Sequence, residues 1–286
     1  AQDSPATYAP GLATSLNNLA GRFSGLGRLG EALEAAQEAV ELYRGLVEVS
    51  PEAYVPYLAM SLDNLANRLS DVGRLGEALE AAQEAVELYR GLVEVSPEAY
   101  VPYLAMSLDN LANRLSDVGR LGEALEAAQE AVELYRGLVE VSPEAYVPDL
   151  AMSLSNLAGR FSGLGRLGEA LEAAQEAVRL RRGLVEVFPE AYTPYLASSL
   201  NNLAASLSGL GRLDEALEVA RESVELYRKL AQDSPATYAS DLAMSLNNLA
   251  ASLSGLGRLD EALEVARESV ELYRKLAQDS PATYAS

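Results

Sequence analysis

The chain has 286 residues, of which 49% are apolar, and a formal net charge of −20, so it is long and apolar enough to bury a core. Because it has no Cys, His or Trp, its composition excludes disulfides, thiolate or imidazole metal sites, and Cys–His or Ser–His–Asp catalytic groups, and we expect no cofactor. No apolar run is long enough to span a bilayer. The negative net charge disfavours binding to nucleic acid and favours a basic partner. A need for solubility alone is the alternative explanation of this charge.

The whole sequence repeats with a fixed period. Residues 61–95 recur without a change at residues 107–141, which lie 46 positions later. The complete repeats cover residues 4–49, 50–95, 96–141, 142–187, 188–233 and 234–279, and residues 280–286 begin a further one. Such a period indicates one stacked repeat array, so we expect residues 1–286 to form a single domain.

Each repeat contains two apolar stripes of helical spacing, which the second repeat illustrates. The first stripe predicts helix A near residues 56–72, with Pro56 in the first turn, where its missing N–H costs nothing, and Gly73 at the end. The second stripe predicts helix B near residues 75–95, antiparallel to helix A. Since neither helix can bury its stripe alone, successive pairs are expected to stack. Tyrosines at the predicted turns between repeats, such as Tyr57, either wedge the pairs together or form an interface.

The segment NLANRLSDVGRLGEALEAAQEAVEL of the second repeat, which has a counterpart in every repeat, resembles the tetratricopeptide repeat. The residues that fall in step with that motif are Asn64, Leu65, Ala66, Gly73, Ala78 and Ala85. The sequence departs from the motif at Leu62, where an aromatic residue is usual, at Ala66, where Gly is usual, and in its period, since the usual repeat has about 34 residues. The longer repeat resembles those of kinesin light chains and of bacterial multi-repeat regulators.

This resemblance implies an all-α fold, a right-handed α-α superhelical solenoid of six helix-turn-helix repeats. It also implies that helix A of each repeat lines a concave groove, which binds an extended segment of a protein or peptide. The expected function is therefore a non-enzymatic binding scaffold, cytoplasmic and part of a larger bacterial regulatory protein. An enzyme is not expected, because six copies of one surface do not readily build an asymmetric catalytic site.

One polar position of helix A is Asn in every repeat, and this position is the first candidate for peptide binding. The residues are Asn18, Asn64, Asn110, Asn156, Asn202 and Asn248, and Asn67 and Asn113 share their helix face. A side-chain amide carries a donor and an acceptor, so a row of amides can pair with the main chain of an extended peptide. The alternative is that each Asn bonds to the backbone of a neighbouring repeat and is purely structural.

Two further positions of helix A are acidic only in the second and third repeats, where they are Asp63, Asp71, Asp109 and Asp117. If helix A faces the groove, the middle of the groove is acidic, and we expect it to prefer a segment that carries Lys or Arg. Solubility alone is the alternative explanation of these residues.

The alternative function is structural: an engineered or near-consensus repeat array that self-associates head to tail and has no dedicated ligand. The last helix B presents Leu263, Ala266, Val270 and Leu276 with no complete repeat after it. Because the two ends of the chain are nearly the same sequence, this face is expected to complement the N-terminal face of another copy.

Overall fold

The computed structural model of the chain describes residues 5–279, which are almost entirely α-helical. No β-strand occurs in this range, and none of the helices found there is long and apolar enough to cross a membrane. The helices belong to two compact units, Ala1–Val141 (the N-terminal unit) and Ser142–Ser286 (the C-terminal unit). In chain order they are α1 (Pro5–Gly25), α2 (Leu29–Val49), α3 (Pro51–Asp71), α4 (Leu75–Val95), α5 (Pro97–Asp117), α6 (Leu121–Val141), α7 (Pro143–Gly163), α8 (Leu167–Val187), α9 (Pro189–Gly209), α10 (Leu213–Asp233), α11 (Pro235–Gly255) and α12 (Leu259–Asp279).

The odd-numbered helices correspond to the predicted A helices, and the even-numbered helices to the predicted B helices. Within each compact unit, every helix packs against the helices that directly precede and follow it. The predicted all-α fold, made of helix pairs stacked in sequence order, is therefore confirmed. The start of the seventh repeat, residues 280–286, lies outside the described residues, and a single domain over residues 1–286 stays a prediction.

The turn between helix A and helix B has the geometry that the sequence predicts. Helix α3 ends at Asp71, and Gly73 adopts a φ of 78°, a left-handed conformation that costs little for a residue without a Cβ. The N–H of Gly73 donates to the carbonyl of Ser70, and the N–H of Arg74 donates to the carbonyl of Leu69. The N···O distance is 2.9 Å in both hydrogen bonds. This pair of bonds is the Schellman arrangement, which satisfies the last carbonyls of the helix and confirms the predicted role of Gly73.

The predicted start of helix A is wrong, because α3 begins at Pro51 and not at Pro56. Ser50, the single residue between α2 and α3, has φ −148° and ψ 79°, so Pro51 occupies the first turn of the new helix. Pro56 consequently lies inside α3, where it has no N–H to donate to the preceding turn. Tyr54 and Tyr57 likewise belong to α3 and not to a turn between repeats.

The predicted apolar stripes form the core of the N-terminal unit. Leu58, Leu62 and Leu69 of α3 belong to the same buried cluster as Ala82 and Ala85 of α4. Both alanines are 0% exposed, since α4 lies so close to its neighbours that a larger side chain would push the helices apart.

Tyrosine rings connect neighbouring repeats of the N-terminal unit. Tyr57 of α3 stacks on Tyr43 of α2 with ring centroids 5.8 Å apart and an interplanar angle of 10°. Tyr103 of α5 stacks on Tyr89 of α4 in the same way, at 6.0 Å. Such pairs typically contribute about 0.5–1.5 kcal/mol beyond the burial of their area, so the predicted wedging of repeats by tyrosine is confirmed.

The core of the C-terminal unit has the same construction. Leu242, Leu246 and Leu253 of α11 belong to one buried cluster with Val224 and Tyr227 of α10. These side chains come from two successive repeats, so the apolar stripe of α10 is buried by the following repeat as well as by its own partner helix.

Candidate functional site

The six asparagines of the predicted groove lie on the A helices and are partly or fully exposed. Asn110 donates from its Nδ2 to the Oδ1 of Asp63 over 3.4 Å. Within residues 5–279, the side-chain amides of the other five make no hydrogen bond, so their donors and acceptors are open to a ligand. These five are Asn18 and Asn64 in the N-terminal unit, and Asn156, Asn202 and Asn248 in the C-terminal unit. Asn67 of α3 and Asn113 of α5 are half-buried.

Asp63 and Asp109 do not lie on an accessible groove wall, and this part of the prediction is wrong. Their exposed fractions are only 3% and 5%. The Oδ1 of Asp63 accepts a hydrogen bond from the Oγ of Ser107 over 3.1 Å and another from the Nδ2 of Asn110, both on the next A helix. Burial raises the pKa of Asp63 to about 7, against the opposing effect of these two hydrogen bonds. The error arises because this position of helix A faces the following A helix instead of solvent.

The position of Asp63 belongs to a row of polar contacts between successive A helices. At the start of the row, the Nδ2 of Asn17 donates to the Oγ of Ser61 over 2.6 Å. The equivalent pairs are Ser107–Asp63 (3.1 Å), Ser155–Ser199 (3.3 Å) and Ser245–Asn201 (3.1 Å). The sequence signal for this row is a serine that recurs inside the apolar stripe of helix A, next to the leucine at position 62 and its counterparts.

Asp71 and Asp117 are exposed near the C-terminal ends of α3 and α5. The Nη1 of Arg68 lies 3.0 Å from the Oδ2 of Asp71, which also accepts a hydrogen bond from the Oγ of Ser24 over 3.2 Å. Arg114 makes the equivalent ion pair with Asp117 over 3.3 Å. Each carboxylate is therefore partly neutralised by an arginine of its own helix, which reduces the acidity of this part of the surface.

Ion pairs connect neighbouring repeats along the B helices. The Nη2 of Arg44 lies 2.6 Å from the Oε2 of Glu84, one repeat further along the chain. The equivalent pairs are Arg90–Glu130 (2.7 Å), Arg182–Glu222 (2.7 Å) and Arg228–Glu268 (2.6 Å). Because these side chains are largely exposed, each pair contributes little to the free energy of unfolding. These ion pairs join the B helices of successive repeats, and none of them involves the asparagines of the A helices.

Each compact unit also has an open cavity beside the N-terminal halves of its A helices. The cavity of the N-terminal unit has a volume of about 360 Å³, and its walls include Pro56, Tyr57, Met60, Tyr89, Tyr100 and Tyr103. The cavity of the C-terminal unit has a volume of about 390 Å³, and its walls include Pro148, Asp149, Met152, Arg181, Tyr192 and Tyr195. The second set is the counterpart of the first, two repeats later. Neither cavity was predicted from the sequence, although Asp149 and Arg181 are charged where the other cavity has tyrosine.

Family models match most of the chain. One model, described as tetratricopeptide repeat, matches residues 12–51, 58–97, 104–143 and 150–188, and another with the same description matches residues 195–275. The chain belongs to the tetratricopeptide repeat family. This family is generally a non-enzymatic scaffold fold. A comparison with curated proteins found no match to the chain.

Several solved structures resemble this array of tetratricopeptide repeats. BtubC (BKLC) from P. vanneervenii has a TM-score of 0.67 at 19% identity, over 87% of this chain and 92% of that one. A putative kinesin light chain from Podosopora anserina with nearly identical TPR-like repeats has a TM-score of 0.61 at 21% identity, over 77% and 97%. A Signal Transduction ATPase with Numerous Domains with a tetratricopeptide repeat sensor, from Pyrococcus horikoshii, has a TM-score of 0.65 at 16% identity, over 93% of this chain and 38% of that one. These likenesses confirm the fold class, an α-α superhelical solenoid.

Proposed function

We propose that this chain is a non-enzymatic scaffold that binds an extended segment of another protein along its A helices. The proposal is carried by the amides that recur once in every A helix, five of which make no hydrogen bond within residues 5–279. An extended segment presents N–H and C=O groups in alternation, and one amide side chain can bond to both kinds of group. The surface therefore suits recognition of main chain, with little demand on the sequence that is bound.

The repetition of the amides is what makes useful affinity attainable. One hydrogen bond typically contributes about 0.5–1.5 kcal/mol net, which is too little for binding by itself. Because a micromolar dissociation constant corresponds to about 8 kcal/mol, several repeats must contact the same segment. We expect the affinity of a bound segment to increase with its length until it has contacted every A helix that it can reach.

Only two of the four predicted aspartates support the proposed preference for Lys or Arg in the bound segment. Asp63 and Asp109 are buried, so Asp71 and Asp117 are the members of the predicted acidic set that a ligand can reach. The net charge of −20 adds a field that attracts basic segments at low ionic strength. This preference is expected to weaken as salt is added, because exposed charges are screened.

The wider role that we propose is that of a binding arm in a larger bacterial regulatory protein of the cytoplasm. The support is an analogy: the similar structure from Pyrococcus horikoshii is a signal transduction ATPase with a tetratricopeptide repeat sensor, and the match covers 38% of that chain. Both the bacterial source and the location belong to this proposal.

The test of the binding proposal is a peptide-array screen with the intact chain, followed by affinity measurements on variants. Asn64→Ala removes one open amide from the N-terminal unit, and Asn202→Ala removes one from the C-terminal unit. Each is expected to weaken binding of a selected peptide by about tenfold, since each removes contacts to both a donor and an acceptor. Gln83→Ala, which removes a similar amide from helix B, is the control and should leave the affinity unchanged. Equal affinity of all three variants and the original chain would contradict the proposal.

A second candidate function, head-to-tail self-association, is favoured by the exposure of the two terminal helices. Helices α10 and α12 have the same sequence, yet they differ in exposure. Leu217 and Val224 of α10 are 5% and 2% exposed. Their counterparts in α12, Leu263 and Val270, are 51% and 46% exposed. At the other end, Leu12 of α1 is 47% exposed, and its counterpart in α11 is covered. In a chain of these 286 residues, α1 of one copy could therefore cover α12 of another.

Sedimentation at increasing protein concentration separates this second candidate from the first. Self-association of this kind should produce a rising average mass, since a head-to-tail contact need not close. Val270→Glu should abolish the rise, whereas Val95→Glu, at a position that is already 85% exposed, should leave it intact. A mass that stays at that of the monomer over the whole range would contradict self-association and leave the peptide proposal unaffected.

A further inference from the structure

The fourth repeat has charged residues at two positions that face the cavity of the C-terminal unit. The first, Arg181, is unique to this repeat, and the second, Asp149, recurs as Asp241 in the sixth repeat. Arg181 of α8 stands where the five other repeats have tyrosine: Tyr43, Tyr89, Tyr135, Tyr227 and Tyr273. Asp149 of α7 stands where the second, third and fifth repeats have Tyr57, Tyr103 and Tyr195. An otherwise aromatic cavity has thus acquired two groups of opposite charge on its walls.

Arg181 is a buried cation without an anionic partner. It is only 6% exposed, and its Nη1 donates to the carbonyl oxygen of Tyr195 over 2.6 Å and to the Oγ of Ser199. The guanidinium carbon also lies 5.7 Å from the centroid of the Tyr195 ring. Within residues 5–279, the Nε and Nη2 groups have no acceptor, although buried charges in proteins are normally paired. Burial lowers the pKa of Arg181 to about 10, so it is still charged at neutral pH.

Asp149 contributes a second open group to the same cavity. It is half-buried, and within the described part of the chain it makes no hydrogen bond and no ion pair, including none with Arg181. Burial raises the pKa of its carboxyl group. The cavity therefore combines the donors of Arg181, the acceptor of Asp149 and the apolar rings of Tyr192 and Tyr195 within about 390 Å³.

We propose that this cavity binds an amino-acid-like ligand, with its carboxylate on Nε and Nη2 of Arg181, an N–H donated to Asp149, and its apolar part against Tyr192 and Tyr195. The planar fork of a guanidinium matches a carboxylate in two parallel hydrogen bonds, and the match is better than that of a single ammonium group. A phosphate group suits the cavity less well, because the nearby carboxylate of Asp149 repels a dianion.

The cavity of the N-terminal unit provides an internal comparison. It has the same construction, but tyrosines at positions 57 and 89 stand in place of the two charged residues, so it should not bind this ligand. The proposal is independent of the peptide-binding function proposed above, because none of the groove asparagines and aspartates lines the cavity of the C-terminal unit. The same chemistry is present in a free amino acid and in an acidic residue of a peptide, and the experiment distinguishes them.

The experiment follows the NMR signal of the Arg181 Nε–H group in the intact chain, during titration with leucine, with a short blocked peptide that has one central glutamate, and with inorganic phosphate. The signal is assigned by its loss in Arg181→Tyr, a variant expected to fold because it restores the residue of the other repeats. We expect a saturable shift with leucine or with the glutamate peptide, and the probe that produces it identifies the source of the carboxylate. We expect no saturable shift with phosphate at equal ionic strength.

Two variants complete the design. Asp149→Asn should weaken binding of the responding probe by about tenfold, because an amide attracts the N–H of the ligand less strongly than a carboxylate does. The triple variant Tyr57→Asp, Asp63→Ser, Tyr89→Arg should create a second responding arginine in the N-terminal unit, since Asp63→Ser supplies the counterpart of Ser155 and removes a carboxylate that would pair with the new arginine. The proposal would be overturned if neither organic probe produced a saturable shift, or if phosphate produced an equal response. It would also be overturned if Asp149→Asn moved the Arg181 signal in the free protein, because that change would reveal an internal ion pair.

Discussion

Asp63 and Ser107, on consecutive A helices, are joined by a hydrogen bond of 3.1 Å from the Oγ of Ser107 to the Oδ1 of Asp63. The other carboxylate oxygen of Asp63 is buried with no partner within the described chain. Asn17 and Asn201 occupy the same position in other repeats and make the equivalent contact with a neutral side chain. The position therefore does not need a charge, and a buried carboxylate there should destabilise the fold when it is ionised.

Asp63→Asn is expected to increase the free energy of unfolding in mildly alkaline buffer. The pKa of Asp63 rises from a reference value of 3.8 to about 7 on folding, so between these values the folded state binds more protons than the unfolded state. Stability must then fall as the pH rises through this range and level off above it. The variant should be more stable than the original chain by about 1–3 kcal/mol near pH 8, and the difference should shrink towards about pH 5.

Urea unfolding followed by circular dichroism, at several pH values above the isoelectric point of about 4.4, measures this difference. Asp71→Asn is the matched control, because that carboxylate is exposed and paired with Arg68, so it should change stability little at any pH. A stability difference between Asp63→Asn and the original chain that stays constant with pH would show that the carboxyl group is not responsible.

Two glycines of the second repeat should respond oppositely to the same substitution. Gly73 has a φ of 78°, so Gly73→Ala should lower the free energy of unfolding by about 1 kcal/mol through backbone strain. Gly91 lies inside α4, where a Cβ would meet nothing within 4 Å, so Gly91→Ala should raise it by about 1 kcal/mol through helix propensity. Urea denaturation of the two variants tests both, and a shift of the same sign in both would refute this account of the turn.

Helix α10 should open less readily than α4, although each has a packed helix on both sides in its own unit. Asp214 and Lys229 in α10 stand where α4 has Gly76 and Gly91. Removing glycine from a helix interior contributes about 1 kcal/mol, and an acidic residue in the first turn adds roughly 0.3–1 kcal/mol through the helix dipole.

Native-state hydrogen exchange gives the opening free energy of each helix separately. We expect amide exchange in α10 to be about tenfold slower than in α4. Changing Gly76 to Asp and Gly91 to Lys together should bring α4 close to α10. Faster exchange in α10 than in α4 would contradict the argument from helix propensity.

The periodicity of the sequence predicts most of the fold. Helix B of the second repeat was expected over residues 75–95 and is found at Leu75–Val95, because its stripe is continuous and Gly73 marks the turn before it. The start of helix A was placed at the wrong proline, since Pro51 and Pro56 both suit a first turn and only the backbone of Ser50 decides between them.

The candidate sites were less predictable, because they depend on how repeats meet. Whether Asp63 faces solvent or the next A helix depends on the separation of two helices from different repeats, and the pattern within one repeat does not contain this distance. Arg181 could have been noticed by comparing the repeats position by position. Its burial without a carboxylate partner, and its cavity shared with Asp149, become visible only when helices from successive repeats are packed together.

Each helix pair is folded because its neighbours cover its apolar faces. The most direct test is circular dichroism of the excised second repeat, residues 50–95, at micromolar concentration, beside the two-repeat segment 50–141. The single repeat should be largely unfolded with no cooperative thermal transition, and the longer segment should gain helix and cooperativity. A single repeat that is fully helical and unfolds cooperatively on its own would contradict this dependence on neighbouring repeats.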